Sequence, residues 1–190
     1  MSIQDYHFDQ YNETALRHIA EGHLQGAHLP GSQFLPERFP SAEAVVAFVL
    51  QLLEHQGHLL TEYDRSPVAE ELEAGETIGY DAIVELDSVP AHAETRTEAR
   101  GLDGFQVSVV SGIEKPPTSK LVVVAGPLEG QPEKHGFYTI HPGKKAPPFP
   151  FSETTLRQEG FEGEALAKTL AENEQYAEFW HHHGLIGESK

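Results

Sequence analysis

The 190-residue chain carries 30 acidic against 13 basic residues, a formal charge of −17, with 38% hydrophobic and 23% charged residues. That balance is globular, and it has the wrong sign for broad nucleic-acid binding, which rests on Lys and Arg neutralising phosphates. No apolar run approaches the ~18–20 residues of a membrane span, and the absence of cysteine excludes disulfides, thiolate catalysis and zinc–thiolate sites.

The acidic excess is spread over most of the chain rather than gathered in one block, which reads as a solubilising surface. A protein partner with a basic face is the alternative. The opening "MSIQDYHFDQ" lacks the basic-then-apolar pattern of a signal peptide, so a cytoplasmic location is expected, with export by a route that needs no such signal as the other option.

Asn12 is placed to cap a short helix, "ETALRHIAEGH", ended by Gly22 or Gly26. This stretch carries His18, His23 and, beyond it, His28 at a spacing of five, which fits neither the helical nor the strand period. A turn-rich connector with three prolines, "LPGSQFLPERFP", follows. Ser41 then caps the clearest helix, "AEAVVAFVLQLLEHQ", whose Val45, Phe48, Val49, Leu52 and Leu53 form one apolar stripe that should pack on the strands "FQVSVV" and "KLVVVAG".

Residues 58–78 are acidic and carry no clear period; "SPVAEELEAGE" reads as a helical turn or a loop. The period then changes. "YDAIVELDSV", "AETRTEARG", "FQVSVVSG", "KLVVVAG" and "GFYTIHPG" read as four or five short strands. "GKKAPPFPF" cannot continue a ladder because prolines lack the N–H donor. Leu166, Leu170, Ala177 and Trp180 mark a last helix over 163–183 that ends in three adjacent histidines. The expected class is α+β, with N-terminal helices on a mostly antiparallel sheet of four to five strands and a C-terminal helix. Residues 1–150 are expected to form the domain, with 151–190 a helical extension packed on it.

The stretch "RHIAEGHLQGAHLPGSQFLPERFPSAEAVVAFVLQLL" resembles the opening of bacterial EndoU-type ribonucleases found as toxin tips, where a His-Ile pair is followed by Gly-(Gly/Ala)-His, a Phe-Pro and a capped helix. "ARGLDGFQVSVVSG" and "FYTIHPG" are similar to later strands of that family. The resemblance spans about residues 15–145, with 54–92 unmatched. It implies RNA cleavage to a 2′,3′-cyclic phosphate end without a cofactor or metal. His18 and His28 would be the proton-transfer pair, and Thr139 the hydroxyl of the closing strand. His141 stands at the position of a family aromatic. The family's sheet lysine has no counterpart beside Gln106 and Ser108, so Lys120 and Lys144, with Ser108, are the candidates for holding substrate. His23 has no counterpart and is expected to face solvent.

Physical chemistry supports the same set of residues. Internal attack by a ribose hydroxyl needs a base, an acid and donors for developing charge, and two imidazoles with a Thr hydroxyl and a lysine supply them near neutral pH. No protein nucleophile is required, and Gly-x-Ser-x-Gly, Gly-x-Gly-x-x-Gly and P-loop patterns are absent. The run His181–His183 cannot converge on one metal, because helix neighbours diverge by ~100°. A metal would need partners such as His7, His55 or His58, and no ligand-spacing motif is present, so the run reads as a helix end. The second functional class is a non-catalytic acidic module of the same fold, an inhibitor-type protein that binds a basic partner.

Overall fold

The computed structural model describes residues 8–9, 13–24, 31–56, 68–128 and 131–187. In chain order the elements are β1 (Phe8–Asp9), α1 (Glu13–His23), β2 (Gln33–Phe34), α2 (Ala42–Gln56), β3 (Val68–Glu73), β4 (Gly79–Tyr80), β5 (Ile83–Glu85), a 3-10 turn (Leu86–Ser88) and β6 (Glu94–Arg100). They continue with β7 (Phe105–Ser111), β8 (Pro117–Thr118), β9 (Lys120–Leu128), β10 (Gln131–Pro142), α3 (Glu153–Gln158), α4 (Gly163–His182) and β11 (His183–Ile186). The fold is α+β with a C-terminal helix, and the strands among the described residues fall into three small sheets. No helix among the described residues is long and apolar enough to cross a membrane.

Two compact units divide the chain: residues 1–82 with 115–145, and residues 83–114 with 146–190. Chain order does not mark the boundary, so the segment after residue 150 groups with 83–114. The reason is the pairing of β11: it lies parallel to β7 and antiparallel to β5, which requires the C-terminal segment and residues 83–111 in one sheet.

In the first unit, β1, β10, β9 and β3 form one sheet, antiparallel except for the β1–β10 pair, while β2, β4 and β8 form a second. Ser41 Oγ accepts the Ala44 N–H and caps α2 as its position predicts. Val45, Val49 and Leu53 from α2 are buried with Leu72 of β3 and Leu121, Val123 and Ala125 of β9. Phe48 and Leu52 are partly buried beside them, and Phe48 meets Phe39 at a centroid distance of 5.4 Å. The α2 stripe therefore packs on the sheet containing "KLVVVAG". "FQVSVV" is β7 and belongs to the other sheet, a correction to the expectation that both strands support this helix. Alternation alone cannot assign a strand to a sheet; long-range pairing does.

β3 corrects the reading of 58–78 where that segment is described. "VAEELE" contains good helix formers, yet it pairs antiparallel with β9 from Val68↔Ala125 to Glu73↔Lys120. Burial of Leu72 and the Lys120–Glu71 ion pair at 2.5 Å favour the strand over local helix propensity.

In the second unit β6 and β7 form a hairpin through Gly101–Gly104, both end glycines at positive φ. Ile83, Val107 and Trp180 make the core, with Phe105, Phe149, Phe179 and Leu185 against them. The proline-rich segment after β10 makes no ladder. Instead Pro147 O accepts the Trp180 indole N–H at 3.2 Å, and Phe149 lies 4.8 Å from the Trp180 ring. Leu166 and Trp180 are buried and Leu170 is half-buried, as their stripe predicts.

Candidate functional site

The end of α1 is tied to β2 by two side chains. Buried Gln33 donates from Nε2 to Gly22 O at 2.7 Å, satisfying a carbonyl of the helix's last turn. Nδ1 of His23 lies 2.8 Å from Ser32 O. A carbonyl can only accept, so Nδ1 carries the proton and Nε2 presents a lone pair. Lys115 Nζ donates to Gly31 O at 2.6 Å, beside Ser32.

This arrangement brings three imidazoles together. The His18 and His23 rings meet edge to face with centroids 5.3 Å apart, and His23 lies 5.5 Å from the His141 ring of β10. His23 is the middle ring, which corrects the expectation that it faces solvent. In a regular helix residues five apart point about 140° from one another. His23, however, is the final residue of α1, and its bond to Ser32 O sets its ring direction independently of helical period.

Environment sets the charge of the cluster. Burial lowers the His23 pKa to about 4; the Ser32 carbonyl works in the other direction, and His141 and His18 lower it further. Burial also lowers the His141 pKa, opposed by the Pro142 carbonyl and by the Asp81 carboxylate. At neutral pH both His23 and His141 are uncharged. His18 is exposed on the surface of α1.

Thr139 lies two residues before His141 on β10, so the two share a face, and their β9 partners are Val124 and Val122. Thr139 Oγ1 is buried and finds no hydrogen-bond partner among the described residues. A buried hydroxyl left unpartnered costs about 1–3 kcal/mol. Ile140, of opposite parity, enters the core with Val123.

The other expected residues are distributed as follows. His28 lies outside the described residues. Lys120 begins β9, and its ammonium is ion-paired with Glu71. Burial disfavours ionisation of Glu71, but the Lys120 ammonium and the Lys145 N–H hold its carboxyl below the usual range. Lys144 follows β10, and its backbone N–H donates to Asp81 Oδ2 at 3.1 Å. Ser108 sits on β7 in the second unit, opposite Thr97 and Gly184. His181 and His182 end α4 exposed, while His183 begins β11, stacks on Phe179 at 4.0 Å and bonds its carbonyl. Among the described residues no group of three His, Asp or Glu is arranged to hold a metal ion.

Asp81 is the residue that sequence reasoning missed. It is 5% exposed and lies against the exit of β10. A single Asp in "YDAIV" belongs to no motif, and nothing in the sequence links it to a strand sixty residues later.

No family model and no curated protein matches the chain. Among solved structures it is similar to a conserved hypothetical protein from Toxoplasma gondii ME49, at a TM-score of 0.49 and 12% identity over 87% of this chain and 97% of that one. A likeness at that level implies neither a shared fold nor a shared activity.

Proposed function

We propose that the first unit is an endoribonuclease-type domain cleaving RNA by internal 2′-OH attack, leaving a 2′,3′-cyclic phosphate and a free 5′-hydroxyl. The observation that carries this reading is the convergence of His18, His23 and His141 in the unit whose β10 also holds the buried, unpartnered Thr139 hydroxyl.

In the proposed step the neutral His141 Nε2 accepts the 2′-OH proton as the 2′-oxygen bonds to phosphorus. Protonated His18 delivers a proton to the 5′-oxygen as the P–O5′ bond breaks. The Thr139 hydroxyl donates to a non-bridging oxygen, where negative charge grows in the transition state. His23 contributes a fixed wall to the site rather than a proton, since an imidazole with a pKa of about 4 is a weak base. The EndoU resemblance gives the second proton transfer to His28, so His28 and His141 compete for that role. Lys144, three residues after His141 and bonded to Asp81 through its backbone N–H, is the cation proposed to meet the phosphate.

A second reading has its own support. The formal charge of −17 favours a basic protein partner for a non-catalytic module.

Incubating the full chain with end-labelled RNA, with and without EDTA, tests the first reading. Cyclic-phosphate ends that form equally in EDTA and vanish in His141→Ala support it as drawn. Loss only in His28→Ala moves the base to His28. Intact RNA under all conditions refutes catalysis and leaves the acidic module.

A further inference from the structure

The exit of β10 is built around one carboxylate. Asp81 lies between β4 and β5, and its backbone N–H donates to Pro116 O at 2.9 Å. Its Oδ2 accepts the Lys144 N–H, and its Oδ1 occupies the space where a side chain on Gly143 would begin, 2.5 Å from an ideal Cβ. Gly143 has φ +114, so only glycine serves there on both conformational and steric grounds. Gly79 of β4 makes the second close approach. A Cβ there would come within 2.4 Å of Gln33 O and 2.9 Å of the Pro142 ring, so β4 lies directly on the residue after His141.

We propose that Asp81 is the positioning carboxylate of the site, anchored to the end of β10 so that its charge supports the His141 imidazole. A buried carboxylate is costly unless opposite charge or donors face it. The Lys144 N–H is one such donor, and the Asp81 charge attracts the His141 imidazolium. The titratable groups that bear on His141 are His18 and His23 from α1 and Asp81 from the β4–β5 connection. Lys120 bears in turn on Asp81. Burial and His18 disfavour the protonated form of His141, whereas Asp81 favours it. A proton acceptor must hold the proton it takes from the ribose hydroxyl, so removing Asp81 weakens the base without touching substrate.

The role in catalysis rests on the ribonuclease reading, whereas the Asp81–His141 coupling does not, and the experiment separates them. The titration of each histidine ring is followed by NMR in the wild-type chain and in Asp81→Asn, which keeps shape and an acceptor for Lys144 but removes the charge. The expected result is a His141 midpoint lower in the variant by roughly half a unit or more, with kcat/KM on RNA reduced by up to about threefold for each half unit and its pH profile displaced alongside. An unmoved His141 midpoint in the folded variant overturns the proposal, whatever the activity. If Asp81→Asn does not fold, the reciprocal variant His141→Gln is read through the Asp81 carboxyl carbon. A rise in the Asp81 midpoint supports the coupling, and no change overturns it. Absence of activity in the wild type refutes the enzymatic reading and leaves the titration to decide the coupling.

Discussion

The chain holds two groups of three histidines, and they behave oppositely. His181, His182 and His183 are consecutive, yet two are exposed at the end of α4 and the third turns into β11 against Phe179. His18, His23 and His141 are scattered over more than a hundred residues, yet their rings form a continuous contact series in the first unit. Adjacency in sequence separates side chains on a regular element, whereas topology assembles them. The difference also appears in protonation: burial among its neighbours takes His23 far from the ordinary imidazole value.

The largest expected effect separates the two groups by function. His18→Ala and His141→Ala should each lower kcat/KM on RNA by on the order of 10²–10⁴, the range for a lost general acid or base. His181→Ala and His182→Ala should leave it unchanged. Equal losses in both groups would break the comparison. Thr139→Val, which keeps shape and removes the hydroxyl, should lower the rate while raising thermal stability, because it deletes a buried group without a partner. A fall in both would show that the hydroxyl is bonded in the folded chain.

A second effect is in stability against pH. The folded-state pKa of His23 is about 4, below the unfolded value near 6.5, so between these values the unfolded chain binds more protons. Stability that is complete above pH 6.5 is lost as the pH falls toward 4, by up to about 3 kcal/mol from this group. Urea unfolding followed by circular dichroism at pH 7 and pH 4.5 measures it. His23→Gln should reduce that slope and leave the part that His141, also lowered by burial, contributes; an unchanged slope would place its origin elsewhere.

The smallest effect is expected at the surface. Lys120→Ala removes a partly exposed ion pair with Glu71 and should cost about 0–1 kcal/mol, less at high salt. A larger loss would mean that the β3–β9 pairing depends on this contact.

Much of the fold was legible because its longer elements carry their period openly: the α2 stripe, the alternation of β7, the apolar run of β9 and the Trp180 side of α4. β3 was hidden because "VAEELE" is made of helix formers and becomes a strand only through β9. β11 was hidden because "HGLI" is four residues that look like the unwinding of a helix, and the parallel pairing with β7 is nonlocal. At the candidate site, His18, Thr139 and His141 were named through the EndoU resemblance. His23 could not be placed there, because its ring is directed by the Ser32 carbonyl and not by helical phase. Asp81 left no trace in the sequence, since its meaning lies in the Gly143–Lys144 backbone it meets.

The claim that the three scattered histidines are one electrostatic unit is tested most directly by titrating His23 by NMR in the wild type, in His141→Gln and in His181→Gln. The account predicts a wild-type midpoint near 4, a higher midpoint in His141→Gln because a repelling neighbour is gone, and no change in His181→Gln. A wild-type His23 midpoint near the ordinary value of ~6.5, or one indifferent to His141, would contradict it.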